Sequence, residues 1–159
     1  MSLRPLLLLL LAMIVLVSGC GGGGRGGGEP SVEEFSEAVV MNRNRVDFAL
    51  TRITRASSQD ELLNRMDEAS AVIAKAADEL ADVGAPSDYQ PEADELVKAL
   101  DQLAVDIQAT ADQARIPGFE NLLSGAGFQG LSFDSWDDVN KALAGLVGKG
   151  IPVSILQPR

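Results

Sequence analysis

The stretch SQDELLNRMDEASAVIAKAADELADVG, residues 58–84, decides the fold. Its seam is Leu62, Met66, Ala69, Ile73, Ala76, Leu80 and Val83, in unbroken alternating steps of four and three. That spacing puts them all on one face of an α-helix. Ser58 stands at the start with Glu61 three residues on, a pattern in which the serine oxygen accepts from an amide while the glutamate reaches back. Gly84 supplies a stop, with Pro86 just beyond.

The same grammar recurs on both sides. Upstream, Ser31-Val32-Glu33-Glu34 opens a second capped segment. Phe35, Val39, Val46, Ala49, Ile53 and Ala56 predict a helix over about 32–56, with Asn42 in the one open slot. Downstream, residues 85–90 read as a loop, and Pro91 suits the first turn of a third helix. Its seam is Ala93, Leu96, Leu100, Leu103, Ile107, Thr110 and Ala114, ending near Arg115, before Pro117-Gly118. Short loops between long amphipathic helices imply antiparallel neighbours. A free-standing coiled coil is the competing arrangement, and the Pro and Gly punctuation argues for folding back. The expectation is an all-α antiparallel bundle, with three long helices over residues 31–115.

Residues 116–159 differ in character. A glycine-rich segment carries Phe119, Leu122, Leu123 and Phe128, with a short helix expected near Phe119–Ser124. Ser132 or Asp134 opens a shorter fourth helix over about 134–148, with Trp136, Val139, Leu143 and Leu146 as its stripe. Lys149-Gly150 ends it. Residues 151–156 are extended and apolar, placed either to dock on the bundle or to bind something else. Met41 and Phe48, seven residues apart, form a second apolar patch on the first helix, away from its seam. The expected cover for Phe48 is this C-terminal third.

Composition narrows the chemistry. The chain has 159 residues, 23 acidic and 13 basic side chains, a net charge of −10, one cysteine and no histidine. Without histidine there is no Ser-His or Cys-His pair, no His-ligated metal and no Glu-x-x-His di-iron arrangement. A lone cysteine excludes an internal disulfide and a CxxC site. Net acidity argues against a general nucleic-acid binder. No cofactor is expected.

The cysteine sits at one telling place. Arg4 is followed by an uncharged apolar run from Leu6 to Val17, then Val17-Ser18-Gly19-Cys20. Twelve apolar residues are too few to span a bilayer and suit a signal-peptide core. The stretch resembles the lipobox of bacterial lipoproteins. The resemblance implies cleavage before Cys20, a diacylglycerol on its thiol, and a domain held on the extracytoplasmic side of a cell membrane or outer membrane. An ordinary secretory signal and a short transmembrane anchor are the competing readings. Residues 1–19 are then the signal peptide and 20–30 a glycine-rich tether, which should remain coil. Removing 1–19 takes Arg4 away and leaves 12 basic against 23 acidic side chains, a net charge of −11.

Other constellations are weaker. Arg43, Arg45, Arg52 and Arg55 crowd the first helix with only Asp47 opposing them. They either hold an anionic partner or pair with acids on helices two and three. The acid doublets, such as Asp67-Glu68 and Asp78-Glu79, lack EF-hand spacing and read as solvated helix faces. Asn42 and Thr110 either fix register or line an internal cavity. Tyr89 and Trp136 are the two large amphipathic aromatics.

Three functions are compatible with these residues. The first is a non-catalytic adaptor that meets an envelope protein partner. The second is a binding protein for a small or anionic ligand, held between helices one and four near Phe48 and Trp136, with Arg45 and Arg52 beside them. The third, an enzyme working through carboxylates, ranks last.

Overall fold

The computed structural model describes residues 29–117 and 133–157. The apolar run, Cys20, most of the tether and the segment Phe119–Ser124 lie outside the described residues. Among the described residues there are four α-helices: α1 (Val32–Thr54), α2 (Gln59–Val83), α3 (Gln90–Ala114) and α4 (Asp134–Gly148). A 3-10 turn, Ser87–Tyr89, precedes α3. Consecutive helices pack pairwise, α1 on α2, α2 on α3 and α3 on α4, forming the antiparallel bundle expected. Among the described residues there is no strand. No described helix is long and apolar enough to cross a membrane.

The helix starts follow the capping chemistry, with one change. Ser31 and Glu34 form the reciprocal box: the Glu34 amide donates to Ser31 Oγ and the Ser31 amide to Glu34 Oε2. At α2 only half of it forms. The Glu61 amide donates to Ser58 Oγ, but the Glu61 carboxylate turns to the Ser57 amide at 2.7 Å and to the Ser57 hydroxyl. Those bonds, with Arg65 nearby, hold the Glu61 carboxyl below its ordinary pKa. α4 starts from Phe133 with no side-chain cap.

The seams enter the core as the spacing requires. Phe35, Val39, Val46, Leu62, Met66, Ile73, Leu103 and Ile107 are fully buried. Each long helix also buries residues beside its predicted stripe: Ala38 and Leu50, Leu63 and Ala77, Ala99 and Ala104. A bundle helix shows a wider apolar face than a two-stranded seam. Thr110 is half-buried and donates to the Asp106 carbonyl, so it bonds within its own helix.

α4 does not close the bundle against α1. The C-terminal tail does so. At Gly150, φ is +94°, a conformation glycine adopts without steric cost. The Gly150 and Ile151 amides cap the Val147 and Leu146 carbonyls, so the chain reverses out of α4 in a Schellman motif. Ile151, Val153 and Leu156 are then buried. Leu156 meets Val39 and Val46 of α1 and Val139 and Leu143 of α4 around a void of about 10 Å³. Two polar clamps hold the tail. Arg43 Nε donates to the Ser154 carbonyl at 3.0 Å and its Nη2 to that of Ile155 at 2.7 Å. Asn140 accepts from the Leu156 amide at 2.7 Å and donates to the Leu156 carbonyl at 3.2 Å.

The 3-10 turn is tied to α1 and α4. The Tyr89 ring lies 5.9 Å from that of Phe35, and its hydroxyl donates to the Lys149 carbonyl. Lys149 Nζ reaches the Asp88 carbonyl and Glu92 Oε2, each at 2.5 Å. Gly145 allows this approach: a Cβ there would stand 3.0 Å from Glu92 Cγ.

Candidate functional site

Two open grooves flank α2. One, of about 450 Å³, runs between α2 and α3, with Val97, Lys98, Asp101 and Val105 along it. The other, of about 310 Å³, runs between α1 and α2 and gathers three of the residues singled out in the sequence: Arg45, Phe48 and Arg52. The fourth, Trp136, is half-buried against the core at the start of α4 and does not line this groove.

The α1/α2 groove has a simple construction. Its floor is Ala49, Ala69 and Ala76, small seam residues that let the two backbones approach. Phe48 stands on one wall and Val72 on the other, both exposed. Phe48 is 66% exposed, so the expectation that the C-terminal third covers it is corrected for the described residues. The physical reason is the tail's position. It packs along α1 at Arg43, on a different face from Phe48.

Four cations line the groove, Arg45, Arg52, Arg65 and Lys75, against one lining acid, Glu68. Arg45 and Arg52 pair with acids of α2, while Arg43 lies 3.7 Å from Asp47 of its own helix. Arg45 reaches Glu79 at 2.5 Å and Arg52 reaches Glu68 at 2.7 Å. Arg65 pairs with Glu61 and also donates to the Arg52 carbonyl at 2.6 Å, tying the end of α1 to the start of α2. Arg43 belongs to the tail clamp and not to the groove.

Asn42 lies just inside this face. It is 1% exposed, and its Oδ1 accepts from Arg45 at a long 3.5 Å. Its Nδ2 has no hydrogen-bond partner. The other acids of interest are spread over the surface. Asp67 pairs with Arg115, whose guanidinium is held above its ordinary pKa chiefly by that bond. Among the described residues no group of three or more His, Cys, Asp or Glu could hold a metal ion.

The sequence gives no sign of Arg43 and Asn140 as tail clamps, because each grips a backbone far along the chain. The space between α1 and α4 proposed for a ligand is filled by Leu156 of the tail. Compared with known protein families, curated proteins and solved structures, the chain matches none.

Proposed function

We propose that this chain is a lipid-anchored lipoprotein of the bacterial envelope, acting as a non-catalytic interaction module. Cys20 would carry the diacylglycerol, residues 20–30 would leash the bundle, and the α1/α2 groove would meet an envelope protein. Two or more acyl chains give firm attachment where one does not. The supporting observation is the contrast between a filled interior and an open face. The void among Val39, Leu100, Leu143 and Leu156 measures about 10 Å³, barely room for one water, and its walls are almost wholly apolar. Phe48, by contrast, is an exposed aromatic ringed by arginines. Aromatic residues and arginine are the types enriched in protein interfaces.

The test is native mass spectrometry of the full chain extracted from its own membrane in mild detergent. The expected result is acylation at Cys20 and a co-purifying protein that Phe48→Ser releases. An unacylated Cys20 overturns the anchor. A partner retained equally by Phe48→Ser overturns the assignment of the groove.

A further inference from the structure

The geometry points to an acidic amphipathic helix as the occupant of the α1/α2 groove, an inference that rests on the interaction-module reading above. Along α1 and its C-cap, Met41, Arg45, Phe48, Arg52 and Arg55 follow steps of four and three, and all five are exposed. On α2, Arg65, Glu68, Val72 and Lys75 follow steps of three and four along the opposite wall. These are heptad spacings on the solvent side of helices whose other stripes are already spent in the core. Two such walls over an alanine floor are what a third helix needs for its apolar stripe to interdigitate. Phe48 and Val72 supply the apolar contacts. From Arg45 to Arg52 the wall runs about 10 Å, roughly two turns of helix.

Charge selects the kind of helix. The flanks of the groove carry Arg45, Arg52, Arg65 and Lys75, paired with Glu61, Glu68 and Glu79, so cations outnumber acids by four to three and carboxylates on either side of the incoming stripe would compete for them. The present ion pairs do not prevent this. Arg45–Glu79 and Arg52–Glu68 are solvent-exposed pairs, of the kind that contributes little and exchanges readily. Lys75, 73% exposed and 3.6 Å from Glu79, is the least committed of the four. A second copy of the chain docked through the same face would set cations on cations, an arrangement that costs affinity. The occupant that fits these charges is an acidic helix of a different protein, read by a helix-in-groove mode.

The probe is a fluorescein-labelled three-heptad peptide with leucines at four-three spacing and glutamates flanking them. It is titrated into the full chain in mild detergent and followed by anisotropy. Saturable binding is expected. It should weaken about tenfold for Arg45→Gln with Arg52→Gln, by a similar factor for Phe48→Ser, and again when salt rises from about 50 to about 500 mM. A twin peptide with lysines for the glutamates should bind at least about tenfold more weakly. Phe48 is exposed, so Phe48→Ser keeps the fold, with circular dichroism as the check. Equal binding of the lysine twin, or no loss in Phe48→Ser, overturns the inference, as does absence of binding. A second arm separates it from the broader reading: Phe48 is replaced by p-benzoylphenylalanine and photo-crosslinked in the native membrane. Crosslinks to an acidic heptad segment of a partner support the inference. Crosslinks to a partner segment without that pattern overturn it and leave the module reading standing. Crosslinks confined to lipid, to a second copy or to the chain itself overturn both.

Discussion

Leu156→Ala is the perturbation that best tests how the bundle closes. Leu156 is 1% exposed and caps the small void between α1 and α4. In a rigid core the change costs about 2–5 kcal/mol. Here the residue sits on a tail that has another option, which is to leave. Burial of Ile151, Val153 and Leu156 contributes about 6 kcal/mol. The two Arg43 bonds and the two Asn140 bonds add about 6 kcal/mol more. Ordering residues 151–157 costs about 10 kcal/mol. The docked tail is thus favoured by only about 2 kcal/mol, and losing the leucine side chain is enough to release it. The expected cost of Leu156→Ala is therefore about 2 kcal/mol, the same as deleting the chain from Ile151 onward. For a domain of this size that lowers Tm by about 8 °C. Thermal and urea unfolding followed at 222 nm measure both variants, and hydrogen exchange at the Leu156 amide reports docking. A cost of 4–5 kcal/mol with the amide still protected would refute the reasoning, because the tail would then be a fixed part of the core. Unchanged stability would show that it does not close the bundle at all.

Three further outcomes are expected. Phe48→Asp should leave Tm within about 1 °C of the wild type, since an exposed side chain has little packing to lose; a drop of several degrees would mean that something covers it. Asn42→Leu should raise urea stability by about 1 kcal/mol by removing a buried amide nitrogen without a partner, and a loss of that size would show that the amide is satisfied. The Glu92 carboxyl is held below its ordinary pKa of 4.5, chiefly by its bond from Lys149. A depressed carboxyl stabilises the fold above its unfolded pKa and loses that contribution as pH falls through the folded value. The stability difference between wild type and Lys149→Met should therefore shrink between about pH 6 and pH 3, and a difference constant over that range would refute the pairing.

Much of this fold was legible in the sequence because its signals are local. Steps of three and four, a serine with a glutamate three residues on, and Gly84 before Pro86 each act within one turn of helix. They placed α1 to α4 to within about two residues. Asn42 proved buried in its predicted slot. Failure came where the deciding fact was not local. Met41 and Phe48 show as an apolar patch on a helical wheel, but a wheel cannot say whether a patch is covered. Among the described residues nothing covers Phe48, because the tail runs past Arg43 instead. The Arg43 and Asn140 clamps were illegible for a related reason: both bind main-chain groups, which look alike at every position of a sequence.

The groove's chemistry also constrains how an encounter would work. The chain carries a net charge of −10, which repels an acidic partner at long range. At physiological salt that repulsion fades beyond about 8 Å, and only the nearest charges act. The four cations of the α1/α2 groove can then select a docked helix without speeding its arrival. An interaction of this kind is slow to form and weak in free solution. Confinement changes the balance. If Cys20 anchors the chain as proposed, the eleven residues from Cys20 to Pro30 leash the bundle to the bilayer surface with an r.m.s. reach of about 18 Å. A partner in the same membrane would then be met at an effective concentration near the millimolar range. Detaching the anchor should therefore weaken this interaction far more than any single arginine substitution in the groove.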